Sequence, residues 1–312
     1  MRALVVERPG EPQALRLREL PAPPPGPGQV LVAIEAAGVN PVDAGNRADP
    51  AWAGLRPPYV VGYELAGTVE GDGGGWRRGQ PVWGLLPVRG TRWGTYAERV
   101  ALDTSLIGPR PEGLSAVEAA SLPLAGATAL QLLDRLDPRR GEWVLVNGAA
   151  GGVGSLFVQL ARARGARVIG SASARREALL ERLGAEVFLD RQAGDVASRA
   201  RQAIGQDLDM VADLVGHGTL AASLLALREG GRAGSIVELA GDLELAIDRN
   251  ITLHGVLMRP GRAVLDTLAA EVHAGRLRPV VDQVLDLEDA ATAHRRVETG
   301  RGQGKVVLRV GG

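Results

Sequence analysis

Trp143-Val144-Leu145-Val146-Asn147-Gly148-Ala149-Ala150-Gly151-Gly152-Val153-Gly154 reads as a short buried strand that turns sharply through glycines and opens a helix. The helix continues through Ser155-Leu156-Phe157-Val158-Gln159-Leu160-Ala161, with Val153, Phe157, Leu160 and Ala161 at helical spacing. A strand, a glycine turn and a helix N-terminus together make an anion site, because free backbone N–H groups and the positive end of the helix dipole face the ligand. Gly151 and Gly154 suit the later glycines of a dinucleotide fingerprint, while Ala149 stands where its first glycine would be. With 43 glycines in 312 residues, such spacings also arise by chance, so the surroundings decide. Gly165 ends the helix and Ala166-Arg167-Val168-Ile169-Gly170 reads as a second strand, completing a βαβ unit of about thirty residues, the length such a unit needs.

Composition narrows the function classes. A chain with 45% hydrophobic and 23% charged residues is expected to be a soluble globular protein, long enough for two domains. Its 36 basic and 36 acidic residues balance, so no nucleic-acid partner is expected. No apolar run approaches the ~20 residues that span a bilayer, so no membrane partner is expected either. The opening Met1-Arg2-Ala3-Leu4-Val5-Val6-Glu7 meets an acid and then a proline too soon for a signal peptide. Cysteine is absent, which excludes disulfide and thiol chemistry and points to a cytoplasmic protein.

Two rhythms divide the chain. Residues 1–118 are rich in glycine, proline and short β-like runs, including a first hairpin and a long strand over 29–39. Helical patterns then follow at 115–122, 126–136, 153–164, 175–183, 195–204, 218–228 and 260–274. They alternate with strands near 143–147, 167–170, 187–189, 209–214, 233–239 and 251–257, which implies parallel strands with helices on both faces. The tail reverts to a strand near 284–287, a helix over 288–298 and a strand over 305–310.

With these parts in place, the chain resembles the medium-chain dehydrogenase/reductase superfamily almost end to end. Within it, the chain resembles the zinc-independent quinone oxidoreductase (ζ-crystallin-like) branch. The resemblance is carried by Ala36-Ala37-Gly38-Val39-Asn40-Pro41-Val42-Asp43, Gly62-Tyr63-Glu64-Leu65-Ala66-Gly67-Thr68-Val69, Leu124-Ala125-Gly126-Ala127-Thr128-Ala129, the glycine turn, and Gly304-Lys305-Val306-Val307-Leu308. It implies an α/β fold with a Rossmann-like doubly wound parallel sheet over 119–275. A GroES-like β-barrel-type substrate domain would be split between 1–118 and 276–312, with the cofactor in the cleft between them. It also implies hydride transfer from a reduced nicotinamide to a small quinone or another conjugated carbonyl, and a homodimer. The apolar run Ile251–Leu257 supports the last, as a final strand whose sheet edge needs cover.

Zinc does not fit the sequence. The superfamily's alcohol dehydrogenases use zinc held by Cys, His and carboxylate. Here there is no cysteine, Tyr63 stands where that branch has histidine, and the four histidines (His217, His254, His273 and His294) show no paired ligand spacing. The expected cofactor is NADPH. An acid about twenty residues past the glycine turn would accept ribose hydroxyls, but Ile169-Gly170-Ser171-Ala172-Ser173-Ala174-Arg175-Arg176 offers none. Ser171 and Ser173 provide hydroxyls, and Arg175 and Arg176 provide forks that fit phosphate oxygens. Arg191 occupies the place where the resembled family often has a tyrosine contacting that phosphate.

The cofactor-binding set expected from these arguments is Ala150, Gly151, Gly152, Val153, Gly154, Ser171, Ser173, Arg175, Arg176, Arg191, Gly216 and Lys305, the last by resemblance. The resemblance also implies a catalytic set of Asn40, Asp43, Tyr63 and Thr128. Trp52 and Tyr63 are the candidates for an aromatic substrate pocket. Two departures bear on the chemistry. Gly45 falls where the family often has tyrosine, removing the usual aromatic proton donor, and Ser235 falls where it usually has glycine. Quinone reduction can take its proton from water, so quinones are the expected acceptors. Reduction of α,β-unsaturated aldehydes, ketones or thioesters on the same scaffold is the alternative, and a non-catalytic NADPH-binding sensor or structural protein is an alternative of another class.

Overall fold

A computed structural model describes residues 1–311 and divides into two compact units, Met1–Ala127 with Arg259–Gly312, and Thr128–Met258. These divisions differ from the expected ones at 118/119 and 275/276. The helix Arg262–His273 groups with the first unit, where its Leu268 lies directly over Gly126 and its Arg262 lies over the Trp76 ring.

The unit Thr128–Met258 is built on six parallel strands. Their order across the sheet is Val187–Asp190, Arg167–Ala172, Trp143–Asn147, Leu208–Asp213, Leu227–Ser235 and Thr252–Gly255. The chain reverses direction across the sheet between Trp143–Asn147 and Leu208–Asp213, the arrangement that opens a ligand crevice at the carboxyl ends of those strands. Trp143–Asn147 is buried along its whole length, as a strand covered on both faces must be, and this explains its unbroken apolar run. Leu145, Ile169, Val211 and Ala233 meet the helical side chains Ala197, Ala200 and Leu220 in one core.

The fifth strand departs from expectation. It runs Leu227–Ser235 rather than 233–239, and the preceding helix stops at Leu224. Ser235 supplies the reason for the early end, because its Oγ accepts from the N–H groups of Val237 and Glu238 and turns the chain out of the ladder. The sixth strand is likewise short, at Thr252–Gly255.

In the other unit, the eleven-residue strand Gln29–Val39 organises a mostly antiparallel seven-stranded sheet. Its first half pairs with Arg99–Asp103, and its end pairs with Lys305–Arg309. Along most of its length it also pairs with Glu64–Val69, with an irregularity between Ile34 and Ala36 that lets the strand bend. The strands Arg2–Val6, Leu15–Glu19 and Tyr59–Val60 form a separate small sheet.

Candidate nucleotide and acceptor sites

The glycine turn closes on backbone hydrogen bonds. Gly148 and Ala149 both donate to Ser171 O at 3.1 Å, and Gly151 donates to Gly148 O at 3.0 Å. Gly148 takes the left-handed conformation (φ +76°), so the turn's special residue sits one position earlier than the fingerprint's first glycine and Ala149 is accommodated. Gly154 is required for a different reason. A Cβ there would lie 2.2 Å from Gly148 O, so only hydrogen lets the helix Gly152–Ala163 approach the strand this closely. No side chain caps that helix. The N–H groups of Gly152, Val153 and Gly154 therefore have no intrahelical acceptor and suit a pyrophosphate. Ala150 is buried beneath this turn.

At the ends of the second and third strands, the register places Ala172 beside Asp190, and Arg191 N donates to Ala172 O at 2.9 Å. Ser171 and Ser173, the short turn Ala174–Arg176 carrying Arg175 and Arg176, and Arg191 are thereby brought to one end of the sheet. Asp190 is the carboxylate at that end, and its Oδ1 accepts from Gln192 N at 3.1 Å within its own turn.

Gly216 follows the fourth strand in the left-handed conformation (φ +77°). Sequence reasoning missed what holds it. Asp213, fully buried and in register with Asn147, accepts from Val215 N at 3.3 Å, Gly216 N at 3.2 Å and Thr219 Oγ1 at 2.5 Å. The available signal was an aspartate closing the apolar run Met210–Ala212. Thr128 lies nearly buried in the helix Pro123–Leu136.

In the other unit, Asn40 begins the helix Pro41–Ala48. Its Nδ2 donates to Glu64 Oε1 at 2.8 Å and its Oδ1 accepts from Lys305 Nζ. Lys305 also donates to Val39 O at 2.9 Å and pairs with Glu64 at 2.7 Å, and Glu64 Oε2 accepts from Leu124 N. An ammonium has three hydrogens, and these three contacts take all of them. These contacts tie the strand Lys305–Arg309 to the start of the helix Pro41–Ala48 through Asn40 and Glu64.

The two aromatic pocket candidates differ in exposure. Tyr63 is 0% exposed, and its hydroxyl accepts from Asn46 Nδ2 at 2.6 Å. Trp52 is 46% exposed.

Asp43 is fully buried, with Oδ2 accepting from Asn40 N at 2.6 Å and from the Tyr96 hydroxyl at 3.0 Å, while Oδ1 has no hydrogen-bond partner among the described residues. A directional chain stands behind it. Arg47 Nη1, which can only donate, reaches His294 Nδ1 at 3.4 Å, so Nε2 carries the ring hydrogen and donates to the Tyr96 oxygen at 3.3 Å. Arg47 Nη2 also pairs with Glu298 at 2.8 Å. Burial pushes the Asp43 carboxyl up to about 7. Burial, with Arg47 alongside, pushes the His294 imidazole down to about 3.

The two shifts oppose each other in pH. Asp43 contributes stability below its unfolded pKa of ~4, and loses it as pH rises toward 7. His294 stays neutral in the folded protein while the unfolded ring protonates, so stability climbs from about pH 3 to 6.5. His294→Asn is expected to remove the climbing part, so that its stability falls relative to the unmodified protein by up to about 1.4 kcal/mol per pH unit between pH 4 and 6. Urea melts at several pH values measure this, and parallel curves for the two proteins would overturn it.

Comparison with known proteins bears on these sites together. Residues 26–112 match the family described as "Alcohol dehydrogenase GroES-like domain", and residues 183–308 match that described as "Zinc-binding dehydrogenase". The chain is 31% identical over 328 residues to the quinone oxidoreductase of Sus scrofa, covering 99% of this chain and 97% of that one. The chain belongs to the medium-chain dehydrogenase/reductase superfamily. It is also 33% identical to the 2-methylene-furan-3-one reductase of Solanum lycopersicum, over 90% of this chain and 71% of that protein. The solved structure of an NAD-dependent alcohol dehydrogenase superposes with a TM-score of 0.93 at 33% identity, with both chains covered completely. The protein is thus an oxidoreductase of this superfamily, with its Rossmann-like sheet and GroES-like domain.

The zinc used elsewhere in the superfamily does not fit the donors here. There is no cysteine, Tyr63 replaces the ligand histidine, and among the described residues no three His, Asp or Glu side chains are grouped to hold a metal ion. No helix among them is long and apolar enough to cross a membrane.

Proposed function

We propose that the protein is an NADPH-dependent, zinc-independent reductase whose acceptors are quinones. The observation that carries this reading is the nucleotide cradle, in which a glycine turn is followed by a strand end with serines and arginines and no ribose-binding carboxylate of the NAD type. Bound NADPH supplies a hydride, and with one proton from solvent a quinone becomes a hydroquinone and the cofactor becomes NADP+. The protein's own part is alignment and exclusion of water. The first-turn N–H groups of the helix Gly152–Ala163 hold the pyrophosphate, and Gly216 lets backbone approach the cofactor closely. In the same unit Thr128 orients the nicotinamide end, and in the other unit Asp43 and Lys305 hold Asn40 in place.

A second reading, reduction of an α,β-unsaturated ketone, draws support from the tomato relative. Steady-state NADPH oxidation against a panel of quinones and enones tests both. If no quinone or enone is turned over, the reading fails.

Activity is expected not to depend on metal. Prolonged chelation should leave both the rate and the melting temperature unchanged, and stoichiometric zinc in the purified protein by elemental analysis would overturn this.

We also propose a cytoplasmic homodimer. Thr252–Gly255 is an edge strand, and Leu239, packed over Gly255, is exposed together with Val237 and Leu257. Pairing of two such edges would cover them. Light scattering at micromolar concentration should report twice the chain mass of 32.6 kDa, and the monomer mass would count against it.

A further inference from the structure

The carboxyl ends of four neighbouring strands in the unit Thr128–Met258 carry a row of polar residues in register. Ser171 lies opposite Asn147, Asn147 opposite Asp213, and Asp213 opposite Ser235. The glycine turn follows Asn147, and the serine and arginine turn follows Ser171. The loops 214–219 and 236–241 follow Asp213 and Ser235, on the other side of the point where the strand order reverses.

The first of these loops has an uncommon backbone. Gly216, His217 and Gly218 all take the left-handed conformation, with φ of +77°, +56° and +80°. Glycine adopts it freely, but a histidine does so at a cost and persists there only where its surroundings hold it. Asp213 pins the first part of the loop through Val215 N, Gly216 N and Thr219 Oγ1. Glu238 pins His217 itself, because its Oε1 accepts from His217 N. Glu238 is held in turn by Ser235, whose Oγ accepts from Glu238 N at 3.3 Å and Val237 N at 3.2 Å and donates to Asp213 Oδ2 at 3.4 Å. These three bonds use the full capacity of a hydroxyl. Gly216 N closes the circuit on the same Asp213 oxygen at 3.2 Å. The two loops are thereby tied into one clasp, and they pack closely. A Cβ on Gly216 would lie 2.8 Å from Val237 Cγ1, and one on Gly241 would lie 2.8 Å from Ala221 Cβ.

The clasp stands beside the glycine turn. Leu214 N donates to Asn147 O at 3.3 Å, and a Cβ on Gly148 would lie 2.9 Å from Val215 Cγ2. A dinucleotide lies across such a crevice with its pyrophosphate at the glycine turn and one mononucleotide on each side of the reversal. In the reading above, the adenosine half takes the side of the strand Arg167–Ala172. The ends of Leu208–Asp213 and Leu227–Ser235, where the clasp stands, are left for the nicotinamide half.

We propose that Ser235 and Glu238 are positioning residues for the nicotinamide half of the cofactor. They fix the backbone of 216–218 before the cofactor arrives, so that this half meets a preformed surface rather than a loop whose ordering would weaken binding. This rests on the nicotinamide-nucleotide reading above and adds to it the residues that prepare one half of the site.

Calorimetry tests the proposal by comparing NADPH with 2′,5′-ADP, which carries only the adenosine half, in the unmodified protein and in Ser235→Ala, Glu238→Ala and Glu238→Gln. Ser235→Ala and Glu238→Ala should each weaken NADPH binding about tenfold and leave 2′,5′-ADP unchanged, because only the nicotinamide half meets the clasp. Glu238→Gln should stay near the unmodified protein, since an amide oxygen still accepts from His217 N. NADPH bound equally by all four proteins, both ligands weakened together, or Glu238→Gln as weak as Glu238→Ala would each overturn the proposal. If the unmodified protein prefers NADH, the NADPH reading fails, and the same comparison with NADH and AMP decides the clasp. If it binds no nicotinamide nucleotide, the reductase reading and the proposal fail together. Hydrogen exchange in the free protein checks the clasp without a ligand. The His217 amide should lose protection in Ser235→Ala and Glu238→Ala, and unchanged protection would overturn it.

Discussion

Replacing Lys305 with methionine is expected to destabilise the protein by about 3–5 kcal/mol, because Glu64 and the Asn40 amide oxygen would lose their buried cation. At roughly 2–4 °C per kcal/mol for a domain of this size, the melting temperature should fall by about 10 °C. A second change, Glu64→Gln, removes the stranded charge, so Lys305→Met/Glu64→Gln should recover most of the loss. Thermal melts of the three variants measure this. A Lys305→Met protein that melts normally but has a raised KM for NADPH would place Lys305 at the cofactor and refute the structural role.

The other large effect concerns cofactor choice. Arg175 and Arg176 are expected to bond the 2′-phosphate of NADPH, each contributing about 1.5–3 kcal/mol if desolvated and less if exposed. A combined ~2 kcal/mol corresponds to a preference for NADPH over NADH of roughly thirtyfold. Arg175→Ala/Arg176→Ala should raise the KM for NADPH while leaving that for NADH nearly untouched, and the penalty should shrink at high salt. Equal kinetics with both cofactors in the unmodified protein would show instead that these arginines form a solvated helix face.

The nucleotide-binding fold was legible before any coordinates because its signals are local. Trp143–Asn147 must be apolar throughout to be buried on both faces, and the helix behind it repeats its apolar residues at 3.6-residue spacing. The alternation of strands and helices that follows leaves few arrangements other than a parallel sheet. Local signals mislead where a side chain intervenes. The run 233–239 has the look of a strand, but the Ser235 hydroxyl captures two N–H groups that a ladder would have used.

Roles that depend on residues far apart were not legible. Lys305 was recognisable as part of a closing motif, yet its partners Asn40 and Glu64 lie more than two hundred positions away. They meet it only because the strand Lys305–Arg309 pairs with the end of Gln29–Val39. The same holds for Arg47, His294 and Tyr96, which looked unremarkable along the chain and line up behind Asp43 only in the folded core. Tyr63 and Trp52 were indistinguishable as aromatic candidates, and burial alone separated them. Periodicity and turn chemistry carry the elements and their order, because those depend on neighbours within a few residues. The choice of which polar groups are enclosed, and with which partners, belongs to tertiary structure, because desolvation and hydrogen bonding act on atoms brought together only by the fold.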